Sequence, residues 1–446
     1  MIFSIFSEIE AWKFYFYAYR SLAPSGNVSQ RKPQLESADT YELLFTRADS
    51  LLMNGSFTQA LETGSKAEAL RAQSRDRHFA SRFMSEWAGG DWVSNIGHTA
   101  LGLQLLRMRS EVDNIETPIL YHSSGSSNKV LINKLSEHLN INKLNFREYY
   151  DFQDKFRDFR IEMNFIKTSA GILELNEAFK YYLSYVRETL QPLSLTPSEL
   201  TDVEKLLSEN SFAVNKPFIS FHVREKAGEN VIRAGNVSDL NTLIEACIPF
   251  AFQGYQFVRM GHQGMTPLAS FEIIRNLNLE NSFFDYANSI AKSDLVDLYF
   301  WSKSLFFIGG DSGPVTAPIL FNKPTLRINA NMPFMANVGY SGYIVPKLVR
   351  NLMSGKYMNY FEITDDSVLW SHRADTQNYE RVFLSPRTVE NAIRDMLNLV
   401  GLESSSNKIS QPTSDWIVRN KSRKFAFTNL GLPLAPSFVN EFKNLL

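Results

Sequence analysis

The chain has 446 residues and a formal net charge of −1, room for two or three domains with a core each and no basic excess to neutralise a nucleic-acid backbone. Apolar residues make up 44% of it and charged residues 21%, the balance of a soluble globular protein. Cys247 is the single cysteine, which excludes an intramolecular disulfide and a cysteine-rich zinc site and suits a reducing, cytoplasmic setting.

The opening run MIFSIFSEIEAWKFYFYAYRS is aromatic and apolar, but Glu8, Glu10 and Lys13 interrupt it and no small-residue cleavage site follows. It reads as neither a spanning helix nor a signal peptide. It suits an arm packed on a neighbouring domain, with peripheral contact at the inner membrane face as the alternative. Residues 1–87 form a helical extension in this reading. Leu43, Leu44, Ala48, Leu51 and Leu52 keep helical spacing, Asn54 and Gly55 break it, and Ala60, Leu61, Ala67 and Leu70 resume it. The segment ADSLLMNGSFTQALETGSKAEAL resembles one tetratricopeptide hairpin. A single hairpin cannot bury its own face, so it must pack on the next domain.

Residues 88–205 read as a first α/β domain. Trp92 and Val93 end a strand, SNIGH turns, TALGLQLLRMRS is an amphipathic helix, and PILY is a second strand before a helix carrying Leu131, Leu135 and Leu139. The stretch 142–160 fits helix and strand equally. QPLSLTPSEL, with Pro192 and Pro197, is the linker candidate. Residues 206–400 alternate more clearly, with strands at 217–224, 255–261 and 282–287 and helices at 238–252, 267–276 and 294–302. The run SLFFIGGDSGPVTAPILFNKPTLRIN then reads as strand, glycine turn, short helix and strand. Such alternation implies a parallel, doubly wound sheet with right-handed crossovers. Residues 401–446 are a tail expected to pack back on the other domains.

Ligands sit at the carboxyl ends of the strands of such sheets. His222 and Arg224 end the first strand of the second domain, Arg259 the next, Asp285 and Tyr286 the third, and the turn of Gly310, Asp311, Ser312 and Gly313 the fourth. Asp311 or Ser312 can cap the following helix and Pro314 suits its first turn. Backbone N–H groups, a helix dipole and two guanidiniums at one edge make a diphosphate site.

In order and spacing, FHVRE, VIRAGN, QFVRMGH, FFDYANSIAKSDLVDLYFWSKSLFFIGGDSG and FNKPTLRIN resemble a family of bacterial glycosyltransferases from surface-polysaccharide gene clusters, over residues 88–400. The glycine turn is similar to that of heptosyltransferases, and FHVR to the His-x-Arg element of fucosyltransferases, where the Arg meets the donor phosphate. The resemblance implies the GT-B fold, two Rossmann-like domains here preceded by a helical extension. It implies transfer of a sugar from a nucleotide-sugar donor to a glycan or lipid-linked acceptor, with no separate cofactor. By the same resemblance Arg224 and Arg259 touch the diphosphate with His222 beside them, and residues 310–313 form the anion turn. Asp285 and Tyr286 then lie near the base, and Asp294 and Asp297 shape the pocket, although Asp294 suits a helix N-terminus equally. Arg233 either closes over the ligand or is solvated. One departure is Pro318, which should shorten or kink the helix after the turn.

An inverting transfer needs a base for the acceptor hydroxyl, and imidazole titrates near neutrality. His98, opening a helix in the first domain, is the candidate, with capping as its alternative role, and Glu225 is the reserve. No Asp-x-Asp or HExxH pattern is present, which argues for metal-independent transfer. Two rival functions remain. A sugar-nucleotide 2-epimerase shares the fold, but its turn continues into glutamates, whereas Pro314, Val315, Thr316 and Ala317 follow here. A non-catalytic scaffold would use the helical hairpin and aromatic arm.

Overall fold

The structure, a computed structural model, describes residues 40–53, 56–77, 86–122, 127–225, 239–330, 339, 341–359, 362–363, 378–401 and 432–445. The aromatic arm lies outside them. Helices α1 (Tyr41–Met53) and α2 (Phe57–Arg77) form the hairpin. Ala48, Ala60 and Ala67 are small enough for the two helices to meet, and all three are fully buried. Gly64 of α2 lets the Phe165 ring approach, since a Cβ there would sit 2.7 Å from it. The Asp158 carboxylate accepts from Tyr41 Oη at 2.5 Å and from Ser74 Oγ at 2.6 Å, and Asn164 donates to Asp49 at 3.1 Å. The hairpin is thus docked on the unit that follows, as one unaccompanied hairpin requires.

That unit is a thin parallel layer. Trp87 pairs with Arg160 and Ala88 with Ile119 through single bridges. Helix α3 (Ile96–Asp113) then crosses to β1 (Ile119–His122), and α4 (Lys129–Leu135) to β2 (Ile141–Leu144), which runs parallel to β1. Trp92 and Val93 do not end a strand: Gly89 and Gly90 break the extended run, and the two residues fall in the 3₁₀ turn Gly90–Val93. The ambiguous stretch after β2 is helix α5 (Phe146–Lys155), opened by a capping box between Asn145 and Glu148. A short antiparallel pair, β3 (Ile166–Thr168) and β4 (Gly171–Leu173), leads to α6 (Leu175–Val186). Pro197 is not linker but the first residue of α7 (Pro197–Glu209), where its missing N–H costs nothing.

The second sheet is β5 (Phe218–His222), β6 (Gln256–Arg259), β7 (Phe283–Phe284), β8 (Phe307–Gly309), β9 (Thr325–Ala330) and β10 (Gly342–Pro346), all parallel, in the order β10-β9-β8-β5-β6-β7. Helices α8 (Leu240–Phe252), α9 (Glu272–Asn276) and α10 (Asp294–Lys303) connect strands. Every residue of β5, β6 and β9 is buried, the signature of strands covered on both faces. The chain winds outward from β5 to β7, then returns to lay β8 on the other side of β5. The topological switch point is therefore between β5 and β8, where His222 faces Gly309 in register.

One face of this sheet packs on α8, α11 (Pro386–Gly401) and α12 (Pro436–Glu441). The other shares a continuous apolar core with the first unit, from Trp92 and Leu105 to Val296, Trp301 and Phe321. Beyond β10 lies the antiparallel pair β11 (Leu348–Asn351) and β12 (Tyr379–Val382). Ile344 of β10 bridges Leu434, so the C-terminal segment covers the sheet edge, which would otherwise present unpaired backbone groups.

Candidate functional site

At the switch point His222 Nδ1 lies 2.9 Å from Ser312 Oγ, both side chains buried. Burial holds the imidazole down to about 3, and the nearby charges of Arg224, Arg259, His262 and Lys292 push the same way. His222 is therefore uncharged at neutral pH. Arg224 at the end of β5, Arg259 at the end of β6 and Lys292 on the approach to α10 bring positive charge near it, Arg259 and Lys292 each with carboxylate partners. Arg224 is half-buried, Lys292 half-buried and His262 exposed.

The glycine turn departs from expectation. Pro314 and Pro318 each open a separate 3₁₀ turn, Gly313–Val315 and Ala317–Phe321, instead of one α-helix. A single 3₁₀ turn carries little of an α-helix macrodipole, so positive potential here comes mainly from the side chains. Asp311 acts as counter-charge to Arg327 of β9, whose guanidinium burial pushes down to about 10 and Asp311 partly restores.

Three expected ligand contacts are turned inward. Arg259 is fully buried; it donates to the Glu225 carboxylate and to the Thr266 carbonyl, and lies 3.5 Å from Asp285 Oδ1. Glu225 also accepts from Thr266 N at 3.0 Å and Thr266 Oγ1 at 2.8 Å, and Asp285 from Leu268 N at 3.0 Å and Asn288 at 2.9 Å. Two carboxylates thus offset the Arg259 charge, and the trio braces Thr266 and Leu268 against the strand ends. Glu225 is engaged in that brace and is poorly placed for the role of reserve base. Tyr286 is also fully buried: its hydroxyl donates to the Ser293 carbonyl at 2.9 Å, and Lys292 Nζ stands 4.7 Å from its ring centroid. It has no open face for a base to stack on.

Asp294 is neither a pocket residue nor the cap. Ser293 caps α10, and the Asp294 carboxylate accepts from Lys129 N at 2.8 Å at the start of α4, tying the two units together. Asp297 pairs with Lys292. Arg233 lies outside the described residues.

The first unit meets the turn through α3. A Cβ on Gly97 would stand 2.8 Å from Gly313 Cα, and one on Gly313 would stand 2.9 Å from Gly97 N. Only glycine at both positions permits that approach. His98 follows directly and is exposed; Asn95 Oδ1 accepts from its backbone N–H at 2.9 Å, so Asn95, not His98, is the cap. His98 Nδ1 lies 3.3 Å from the Asp91 carbonyl. A carbonyl only accepts, so that bond puts the proton on Nδ1 and leaves Nε2 with the lone pair. Asp91 in turn binds Arg160 at 2.7 Å. Sequence reasoning missed Lys292, His262 and Asp91, of which only Asp91, in a Gly-Gly-Asp turn, carried a local signal. Among the described residues no group of three or more His, Cys, Asp or Glu could hold a metal ion, and no helix is long and apolar enough to cross a membrane.

No protein-family model and no curated protein matches the chain. Among solved structures, it is similar to a family 9 glycosyl transferase from Veillonella parvula, at 10% identity and a TM-score of 0.43, over 70% of this chain and 96% of that one. It is similar to the E. coli ADP-heptose heptosyltransferase II of lipopolysaccharide at 13% identity and a TM-score of 0.40, over 71% and 99% of the two chains. A Neisseria meningitidis UDP-GlcNAc 2-epimerase, at 12% identity and a TM-score of 0.29, covers 55% of this chain and 81% of its own. No residue's role is carried over from them.

Proposed function

We infer that the chain is a glycosyltransferase that binds the diphosphate of a nucleotide sugar at the switch point between β5 and β8 and transfers the sugar to a glycan or lipid-linked acceptor in surface-polysaccharide synthesis. The observation that carries this reading is the buried His222–Ser312 pair at the β5–β8 switch point, with Arg224 at the end of the same strand and Lys292, whose counter-charge is Asp297, within electrostatic reach. A dianionic leaving group needs charge stabilisation where it departs, and fixed cations supply it without a metal. Arg224 offers the bidentate fork, Lys292 a point charge, and Ser312 a hydroxyl steered by His222. Arg259, Glu225 and Asp285 hold this constellation rather than touch the donor.

His98 Nε2 suits the base that takes the acceptor proton, because its tautomer is set by the Asp91 carbonyl and it stands one residue from the Gly97–Gly313 contact. Residues 88–205 then carry the acceptor and residues 206–400 the donor, at the inner face of the cytoplasmic membrane. The epimerase reading is disfavoured by the turn itself, which continues into Pro314 and Val315 without a carboxylate.

Calorimetric titration with UDP, GDP, ADP, CDP and dTDP in the presence of EDTA tests the donor site. One of them should bind with a dissociation constant in the micromolar range, and Arg224→Ala should weaken it about 10- to 100-fold, the worth of a lost charge-assisted hydrogen bond. Failure of all five to bind would overturn the reading.

A further inference from the structure

The carboxyl edge of the first sheet carries a group of rings that the donor site does not use. His122 is the last residue of β1, and Phe146 opens α5 directly after β2. Phe146 and Tyr150 lie 4.6 Å apart with their planes tilted by 51°, and are 65% and 46% exposed, a large apolar area left open in the same place. His122 lies 5.5 Å from Phe146, 5.2 Å from Tyr149 and 5.8 Å from Tyr150, and the buried Tyr149 ring meets both His122 and Tyr150. Tyr149 is fixed from below, its hydroxyl accepting from Gly90 N at 2.9 Å.

The position of the rings matters as much as their exposure. Gly90 precedes Asp91, whose carboxylate is 38% exposed and whose carbonyl orients His98, and Gly97 beside His98 touches Gly313 of the anion turn. An unbroken series of contacts therefore runs from the rings, through Asp91 and His98, to the proposed donor site. Tyr185, another exposed ring, stands on α6.

We propose that His122, Phe146 and Tyr150 form the platform on which a sugar ring of the acceptor stacks, with Asp91 receiving its hydroxyl protons. A pyranose presents one face of C–H bonds and a rim of hydroxyls. The weakly positive C–H face suits the negative face of an aromatic ring, and the hydroxyls need an acceptor at the rim, which the Asp91 carboxylate supplies. The acceptor end that meets the enzyme is therefore a saccharide, seated so that its hydroxyl reaches His98.

This proposal rests on the glycosyltransferase reading, but its test is separate. Saturation-transfer NMR on the full chain would use methyl glycosides of hexoses, deoxyhexoses, N-acetylhexosamines and heptoses. At least one should receive saturation on its C–H face, and Phe146→Ala and Tyr150→Ala should each weaken its binding about 3- to 10-fold. Phe146→Trp should retain binding and Tyr185→Ala should leave it unchanged. Nucleoside diphosphate affinity should stay constant across the set. Saccharide binding without any nucleotide binding would sink the donor reading and leave the platform standing. No transfer to any glycoside, unchanged affinity in both alanine variants, or transfer only to phospholipid vesicles would overturn the platform.

Discussion

His222 shows how one buried residue ties the site to pH. Its ring is held uncharged by burial and by Arg224, Arg259, His262 and Lys292, with a folded value of about 3 against an ordinary 6.5. The depressed value belongs to a base, so the unfolded state takes the proton first. Stability is intact above the unfolded value and falls as pH drops from about 6.5 toward 3, by roughly 2 kcal/mol at pH 5 from this group alone. His222→Asn, which keeps a hydrogen-bond partner for Ser312 and cannot titrate, should flatten the melting temperature between pH 6.5 and 4. An unchanged acid limb would show that other groups dominate it. Glu174, at the start of α6, has the opposite sign: burial, with Glu177 beside it, raises it to about 7. Its contribution is present below the ordinary carboxylate range and lost as pH rises toward 7, so Glu174→Gln should stabilise more at pH 8 than at pH 5. Equal gains at both values would contradict this. For His98 the readout is kinetic. Replacement by Ala should lower kcat about 10²- to 10⁴-fold and leave nucleoside diphosphate affinity intact, the pattern of a lost general base. Near-normal turnover would remove it from the reaction.

At the scale of elements, the strands at 218–222, 256–259 and 325–330 were legible because they are covered on both faces and read as unbroken apolar runs between turn residues. The site was legible to the level of which strand ends meet. What failed was the direction of side chains. Arg259 looked like a phosphate ligand, but nothing local signals that Glu225 and Asp285, distant in sequence, would fold over it. The 3₁₀ break at Pro318 was half legible, since a proline there was expected to shorten or kink the helix, whereas Pro314 read as an ordinary first-turn residue. The Gly97–Gly313 contact was invisible, because it joins glycines of different units. Its test is Gly313→Ala. The new Cβ would meet backbone at 2.9 Å, which no side-chain rotation relieves. Overpacking of that kind costs about 1–3 kcal/mol and should part α3 from the turn. A lowered melting point with a fall in turnover larger than the fall in nucleotide affinity is the expected result; a variant matching the parent in both would deny the contact any role.

For the whole molecule, the distribution of apolar surface decides how many cooperative units the chain contains. Two domains with an open cleft would each bury their own core and would melt apart, as inter-domain contacts of modest, polar character allow. Here a single cluster runs from Ala88 and Trp92 through Leu105 and Leu183 to Val296, Leu320 and Phe321, so the layer on one face of the six-stranded sheet, α10 included, is itself packed against the first unit. Asp294 adds a hydrogen bond to Lys129 N and its carbonyl accepts from Asn128 at 3.2 Å. Separating the units would part α3 from the Ala317–Phe321 turn and α4 from α10, exposing large apolar side chains of the shared cluster. At about 1.5–3 kcal/mol for each large apolar side chain, that exposure rivals the whole stability of a domain. Residues 88–330 should therefore unfold together. Scanning calorimetry of the full chain should show one main transition spanning both units, with calorimetric and van't Hoff enthalpies close to each other. A nucleoside diphosphate bound at the β5–β8 switch point should raise that whole transition, because it stabilises a unit that cannot melt by halves. Two well-separated transitions, only one of them moved by nucleotide, would mean that the shared core contributes little and that the units are held together by the site alone.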